Sequence, residues 1–178
     1  MSSSQELEGV SLLDIETFAD HRGSLSRAYE AARIDGCDFD TTWRQAFVSR
    51  TEHRNTVRGL HYQFGDGAEA KLITPLSGEL FWVSIDLREG SLTFGESVTV
   101  VLSRENGHAL LVAPRFAHGC LSLTNDAEVF ILSNINSAAE FAGGIHWNDP
   151  QLAIDWPALG GDPIISEDHA SYPGFDQF

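Results

Sequence analysis

The residues best suited to chemistry lie in one octapeptide, TVRGLHYQ at positions 56–63. Arg58 supplies a fixed positive charge, and His61 supplies a group that takes up a proton near neutral pH. The apolar and aromatic neighbours favour a β-strand, in which residues three apart point to opposite faces. A bulge at Gly59 would turn both side chains toward one pocket. The same octapeptide also fits a hairpin with a surface arginine and a half-buried histidine, so other segments must decide.

Three further segments place polar side chains beside predicted strands. Asp20 and Arg22 lie in a turn closed by glycine, and Lys71 opens a strand after a glycine-containing loop. His118 lies in the segment 114–119, which opens with a proline turn, and it stands at the start of a predicted strand. Taken singly, each also has a plainer interpretation. Asp20 and Arg22 fit a turn pair, Lys71 fits a solubilising residue at the end of a strand, and His118 fits a histidine at the rim of a sandwich. Together they predict a polar pocket built from several strands.

A metal site receives no support from the spacing of the candidate ligands. Metal-binding barrels commonly use two histidines separated by one residue, but Gln63 stands where the histidine after His61 would be. Glu69 and His118 follow at spacings that add nothing to the pattern. There is neither a Gly-Lys-Ser/Thr phosphate loop nor a GxGxxG motif. We therefore expect no metal and no cofactor, and neither a nucleotide hydrolase nor a Rossmann dehydrogenase.

Composition indicates one acidic domain spanning residues 1–178. Hydrophobic residues make up 42% of the chain, enough for a real core. The formal charge of −15 argues against a nucleic-acid or anionic-membrane binder, although a few placed arginines can still hold one anionic small molecule. We see no signal peptide and no apolar run of the roughly 20 residues that span a bilayer. Two cysteines, Cys37 and Cys120, suggest free thiols and a cytoplasmic location.

Short runs of strand-forming residues recur along the chain, with Gly, Asn or Pro at the joins. This pattern is typical of an antiparallel sandwich or barrel. Strand 79–87 is apolar on both faces, which places it centrally or at an interface. Helix preference is confined to 28–34 and 164–170. The predicted strands are 10–15, 46–50, 56–63, 71–76, 79–87, 91–102, 108–113, 118–124 and 128–133.

Taken together, these segments resemble the dTDP-4-dehydrorhamnose 3,5-epimerase family over about residues 8–175. The resemblance implies an all-β fold, a cupin-type jelly roll forming an antiparallel β-sandwich or barrel with short peripheral helices. It also implies a homodimer with exchanged strands. R-G-L-H-Y-Q at 58–63 and K-L at 71–72 match family motifs, and I-D-W-P at 154–157 follows as in the family. The other segments resemble family motifs: 20–23 resembles D-x-R-G, 86–95 resembles D-L-R-x-G-S-P-T-F-G with Leu92 for the proline, 114–119 resembles P-x-G-F-A-H-G with one residue deleted, and 144–150 resembles G-I-R-W-N-D-P with His146 for the arginine.

The resemblance implies an epimerase acting on a nucleotide-linked 4-keto-6-deoxyhexose. The ketone acidifies the neighbouring C–H bonds, so a base can remove a proton and an acid can return one to the other face. By resemblance His61 is the base, and Lys71 and Arg58 stabilise the enolate. Arg22 would contact the diphosphate, and His118 would line the pocket. The implied substrate-binding set is Arg22, Arg27, Gln63, His118 and Trp147.

Three positions depart from the family pattern. The family tyrosine that donates a proton to the opposite face aligns with Ile131, which has no proton to donate. The carboxylate that partners the base aligns with His169. Asp168, one position away, is the candidate catalytic carboxylate but can serve only with a shift of the chain, so whether His169 or Asp168 partners His61 stays open. The family glutamate that recognises thymine aligns with Arg27, so a basic contact replaces an acidic one.

Three interpretations remain open at this point. The chain is a sugar-nucleotide epimerase with altered acid chemistry, acting at C3, C5 or both. Alternatively, the same pocket serves an isomerisation, elimination or cyclisation of another keto or anionic substrate. The third interpretation is a non-catalytic member that binds a sugar nucleotide or supports a partner enzyme. Fold alone does not separate these, because function is decided by the site.

Overall fold

The computed structural model describes residues 7–136, 139–158 and 160–178. Within them the chain is all-β, as predicted, with one short helix, α1 (Glu167–Ala170). The strands are β1 (Val10–Asp14), β2 (Thr17–Asp20), β3 (Gly23–Ser26), β4 (Gln45–Thr51), β5 (Val57–Gln63), β6 (Lys71–Ser77), β7 (Glu79–Asp86), β8 (Ser97–Ser103), β9 (His108–Val112), β10 (Phe116–Ser122), β11 (Ala127–Ser133) and β12 (Ala142–Gly144).

Ten of these strands form two antiparallel sheets. Sheet A has the order β1-β9-β6-β11-β4, and sheet B has the order β12-β5-β10-β7-β8. Apart from β7 and β8, which are consecutive, neighbours in each sheet are not consecutive in sequence, because the chain repeatedly crosses from one sheet to the other, as in a jelly roll. Strands β2 and β3 pair only with each other and form a separate hairpin.

The main core lies between the two sheets. Ile73, Val112 and Val129 from sheet A meet Leu80 and Leu102 from sheet B, and each is at most 2% exposed. Alternate residues of each strand point inward, which is the period that a sandwich core requires. Full burial of one such side chain contributes about 1.5–3 kcal/mol.

Strand β7 is apolar on both faces, as the sequence predicted. Trp82 points into the main core, whereas Val83 and Ile85 lie in a second cluster on the outer face of sheet B. That outer face is covered by the chain's own C-terminal residues, among them Ile145 and Leu152. A partner chain is therefore not needed to cover β7, and this strand no longer argues for a dimer.

The predicted strand 91–102 begins only at Ser97, because Asp86 organises the preceding residues into a turn. The hydroxyl groups of Ser91 and Thr93 each donate to Asp86 Oδ2 at 2.7 Å, and Arg88 Nε donates to Oδ1 at 2.9 Å. Burial alone would raise the pKa of Asp86, but these hydrogen bonds outweigh it and hold the pKa well below its usual value. The carboxylate therefore fixes the loop before β8.

The predicted helices are shorter than their sequence windows. Of 28–34 only Ala31–Arg33 is helical, as a single 3₁₀ turn, and of 164–170 only α1 is. Residue 164 instead forms a parallel bridge with Thr56, at the start of the segment that leads into β5. That bridge ties the C-terminal segment to the strand that carries His61. No helix in the described ranges is long and apolar enough to cross a membrane.

Candidate active site

A cavity of about 830 Å³ opens between the sheets. Sheet A contributes an apolar wall that includes Phe47, Val129 and Ile131. The remaining walls are rich in groups that carry charge or exchange protons. These are Arg50, Arg58, His61, Tyr62, Glu69, Lys71, His118, His169 and Tyr172.

A bulge at Gly59 brings Arg58 and His61 into this cavity. In the pairing of β5 with β10, His61 lies opposite His118 and Arg58 lies opposite Cys120. Two residues on β5 therefore face a single residue on β10, which is a β-bulge. Directly paired residues share a face of the sheet, so the bulge places Arg58 and His61 on one face, which is one of the two interpretations that the octapeptide left open.

Gly59 itself leaves no space for a side chain. Its φ is +97°, and a Cβ there would lie 2.6 Å from the carbonyl oxygen of His118. Gly36 has a similar φ of +94° but open space around it, which makes it a matched control.

We expect Gly59→Ala to destabilise the protein more than Gly36→Ala does. Left-handed strain costs each variant about 1–3 kcal/mol, and the clash at Gly59 adds about 1–3 kcal/mol. Urea unfolding of both variants measures the difference. Equal losses would show that the backbone around His118 absorbs the added methyl group.

Lys71 connects the two sheets at the polar end of the cavity. Its Nζ lies 2.8 Å from Glu69 Oε1 and 2.8 Å from His118 Nε2. Ser133 Oγ donates to the other oxygen of Glu69 at 2.6 Å. The ammonium thus occupies the space between a carboxylate and an imidazole that a bound cation would need. The described ranges contain no group of three or more His, Cys, Asp or Glu side chains arranged for a metal.

Among the residues that the structure describes, no carboxylate pairs with the imidazole of His61. Its Nδ1 is buried without a hydrogen-bond partner in the described part of the chain. Burial is the largest cause that lowers the pKa of His61 to about 3, followed by the neighbouring Lys71, His169 and Arg58. The ring is therefore neutral at pH 7 and has a lone pair to accept a proton. Burial and Lys71 likewise hold the pKa of His118 well below its ordinary value.

His169, and not Asp168, is the residue of α1 that reaches His61. The Gly59 amide donates to His169 Nδ1 at 3.1 Å, and the rings of His61 and His169 stack at 5.9 Å. Asp168 is exposed and does not line the cavity. The reason is helical geometry, since consecutive residues project about 100° apart and cannot both face β5. Burial and Arg58 lower the pKa of His169, so it is neutral at pH 7 as well.

The predicted substrate-binding residues divide into two groups. Gln63 and His118 line the cavity, but Trp147 does not. Trp147 packs edge-on against Trp156 at 5.6 Å, and its carbonyl accepts a hydrogen bond from the Trp156 indole. It therefore belongs to the C-terminal cover of sheet B. The prediction that Trp147 contacts substrate has no support in its position.

Arg22 and Arg27 lie at the β2–β3 hairpin, outside this chain's cavity. Arg22 pairs with Asp20 at 2.6 Å in the turn, and its side chain is 78% exposed. Arg27, just after β3, pairs with Glu30 at 2.7 Å. Neither guanidinium is positioned to contact a ligand of this chain's own site.

Sequence reasoning missed Tyr172 and the partnership of Glu69 with Lys71. The ring of Tyr172 lies against Gly144, which pairs directly with His61 across β12 and β5. A glycine opposite the histidine is the signal that space is kept there for another ring. The sequence pattern presents Glu69 only as a possible metal ligand, although its place two residues before Lys71 at a strand start is compatible with an ion pair.

Comparisons with known proteins agree with this geometry. A sequence profile of the dTDP-4-dehydrorhamnose 3,5-epimerase family matches residues 4–177. The dTDP-4-dehydrorhamnose 3,5-epimerase of Pseudomonas aeruginosa is 39% identical over 159 residues, which are 89% of this chain and 86% of the relative.

Solved structures of similar proteins agree as well. A Legionella pneumophila epimerase in complex with dTDP-4-keto-L-rhamnose superposes with a TM-score of 0.89 and 32% identity, covering 97% of this chain and 91% of the other. ChmJ, a 3'-monoepimerase from Streptomyces bikiniensis, superposes with a TM-score of 0.90 and 25% identity, covering 97% and 86%. The fold, the motif order and these matches confirm the resemblance seen in the sequence, and the chain belongs to the dTDP-4-dehydrorhamnose 3,5-epimerase family.

Proposed function

We propose that this protein epimerises a nucleotide-linked 4-keto-6-deoxyhexose at C3, C5 or both, with a proton donor other than the family tyrosine. The observation that carries the proposal is the position of His61. Its neutral imidazole opens onto a cavity that also holds the cations of Lys71 and Arg58. A base next to fixed positive charge is what enolate formation beside a ketone requires.

Arg58 supports an anionic substrate in an otherwise acidic protein. Its guanidinium donates to Thr51 Oγ1 and to the carbonyl of Arg50, both at 3.0 Å, and no carboxylate pairs with it in the described ranges. Arg50, by contrast, is paired with Asp126 at 2.6 Å. The charge of Arg58 is therefore available to a diphosphate, which planar guanidinium groups bind well.

Similar proteins bind ligands of this class. The Legionella structure contains dTDP-4-keto-L-rhamnose, and one ChmJ structure contains dTDP-quinovose. Another ChmJ structure is a double mutant in which a histidine and a tyrosine are replaced. Those two positions are as far apart in ChmJ as His61 and Ile131 are here. This spacing supports His61 as the base and Ile131 as the position of the lost donor.

The test is hydrogen exchange followed by NMR, with dTDP-4-keto-6-deoxyglucose and the protein in D2O. We expect deuterium at C3, C5 or both, together with inverted product. Exchange at one carbon alone would define the protein as a monoepimerase. Absence of exchange at high protein concentration would overturn the proposal and favour a different reaction in the same pocket or a non-catalytic binding protein.

We also propose a cytoplasmic homodimer. The β2–β3 hairpin stands apart from both sheets, and its cross-strand pair Phe18 and Leu25 is 50% and 72% exposed. Large exposed apolar side chains on a separate hairpin are suited to bind another copy. A docked hairpin would carry Arg22 and Arg27 to the partner's cavity, where their predicted contacts with substrate become feasible. The free thiols Cys37 and Cys120 fit a reducing compartment.

Light scattering at micromolar concentration should give twice the chain mass of 19.5 kDa. The double variant Phe18→Ser, Leu25→Ser should shift the mass toward the monomer, because it removes the apolar pair. The matched control is Leu92→Ser, since Leu92 is fully exposed but lies far from the hairpin in sequence, in the loop before β8. A monomeric wild type would refute the dimer, and an unchanged double variant would refute the hairpin as its interface.

A further inference from the structure

A second cavity, of about 480 Å³, lies at one end of sheet B. Strands β5 and β7 end there and β10 begins there, so residues next to these strand ends line it together. Of the described residues, only Tyr62 and Gln63 line both this cavity and the one that contains His61. Cavities that bind small molecules have volumes of about 300–1,000 Å³, so this one is large enough to hold a ligand.

Aromatic rings form much of the wall of this second cavity. Phe64, Phe94 and Phe178 line it and are 49%, 43% and 51% exposed. The ring of Phe178 lies 6.0 Å from that of Phe94 and 5.4 Å from that of Tyr62, which also lines the cavity. Exposed rings grouped around a cavity gain free energy when a flat apolar ligand covers them. The wall therefore suits a planar ring.

Arg115 is the cation of the second cavity. Its guanidinium makes no ion pair or hydrogen bond with the described residues. Arg88, in the loop after β7, is by contrast paired with Asp86 at 2.8 Å. Glu89 also lines the cavity, and no ion pair joins it to Arg115 within the described ranges. The guanidinium is therefore free to bind one anionic group, whereas the charge of Glu89 disfavours a second.

The backbone at Arg115 is strained, which is unusual for an arginine. Its φ is +67°, in the left-handed region, where side chains other than those of Asn and Asp are disfavoured. The family motif that 114–119 resembles has a glycine directly before the phenylalanine, and here Arg115 precedes Phe116. The carbonyl of Arg115 accepts a hydrogen bond from the Leu87 amide at 3.1 Å, which holds this conformation. An arginine at a position where glycine would be unstrained indicates a function for its side chain.

We propose that the second cavity binds a small aromatic anion, a planar ring that carries one phosphate or carboxylate group. The ring packs against the exposed phenylalanine rings of the wall, and the guanidinium of Arg115 binds the anionic group. This site does not depend on the epimerase function, because His61, Lys71 and Arg58 do not line the second cavity.

The test uses 1-naphthyl phosphate as a fluorescent probe, titrated with the full chain and followed by fluorescence anisotropy. 1-Naphthol is the same ring without the anionic group. We expect the phosphate to bind more tightly than the naphthol, and Arg115→Gly to weaken binding of the phosphate about tenfold, because a charge-assisted hydrogen bond is lost. Binding of the naphthol should not change in this variant. Glycine adopts the φ of residue 115 without strain, so the variant keeps the fold.

Matched controls show where the probe binds. Arg104→Gln changes an exposed arginine in the turn after β8, outside the cavity, and should leave the affinity unchanged. Phe178→Leu removes one ring of the wall and should weaken binding of the phosphate about threefold to tenfold. Phe18→Leu changes a similarly exposed ring on the β2–β3 hairpin and should have no effect.

Failure of 1-naphthyl phosphate to bind the wild type would overturn the proposal. An unchanged affinity in Arg115→Gly, or equal affinity for the phosphate and the naphthol, would refute an anionic ligand. A loss of binding in Arg58→Gln but not in Arg115→Gly would place the probe beside His61 and refute the second site. Hydrogen exchange into the sugar substrate tests the epimerase function separately, and none of these outcomes bears on it.

Discussion

His61→Asn should abolish proton exchange at the substrate carbons, by about 10²–10⁴-fold or more. The neutral imidazole lines the cavity from sheet B and can accept a proton, whereas an amide nitrogen cannot take its place as a base. Stability should change little, because His61 Nδ1 makes no hydrogen bond within the described structure that the substitution would break. Exchange of C3 and C5 hydrogens followed by NMR measures the loss, and thermal unfolding checks the fold.

The matched control for this variant is His108→Asn. His108 lies on β9 of sheet A, outside the cavity, with Asp14 at 3.1 Å from its Nδ1. A surface pair of this kind contributes little, so full activity is expected. Residual exchange in His61→Asn at the wild-type rate would remove His61 from the mechanism and redirect attention to His118 or His169.

His169→Asp should make His61 a stronger base. A carboxylate there can still accept the hydrogen bond from the Gly59 amide, which now goes to His169 Nδ1. Its negative charge favours the imidazolium, so the pKa of His61 rises from about 3 by roughly 1–3 pH units. The exchange rate at pH 7 should then increase about tenfold or more, since stronger bases remove protons faster.

The sign of the pH dependence follows from the same shift. In the wild type the activity due to neutral His61 is lost only as the pH falls toward about 3. In His169→Asp this acidic limb moves to higher pH, because the proton binds His61 more tightly. His169→Asn is the control, since it has nearly the shape of aspartate without the charge, and its limb should stay in place. If the acidic limb of the pH profile lies at the same pH in the wild type, His169→Asp and His169→Asn, the residue at position 169 does not act on His61 electrostatically.

The fold was predictable because its determinants are local and repeated. Alternating apolar residues and turn-forming glycines gave most of the strands, and the two apolar faces of β7 were visible in the residues themselves. The bulge was predictable for a similar reason. Arg58 and His61 are three residues apart with a glycine between them. In a regular strand they would point to opposite faces, so only an irregularity at the glycine can place both side chains on one face.

The parts of the site that were not predictable depend on contacts between distant segments. Asp168 and His169 are neighbours in sequence, and only the docking of α1 on β5 decides which of them meets His61. Trp147 lies in a family motif, yet its ring packs against Trp156 and not in the cavity. Strand β8 is shorter than predicted because Asp86 accepts hydrogen bonds from the hydroxyl groups of the turn after β7.

The C-terminal segment that covers the outer face of sheet B also carries His169 and Tyr172 to the cavity. Opening of this segment would therefore expose Val83 and Ile85 and remove His169 and Tyr172 from the cavity together. Segments of this kind open with less free energy than the whole domain. A ligand that contacts His169 would stabilise the docked segment by mass action. Substitutions on the outer face of sheet B, although far from the cavity, would thereby change the apparent affinity of the cavity for its ligand.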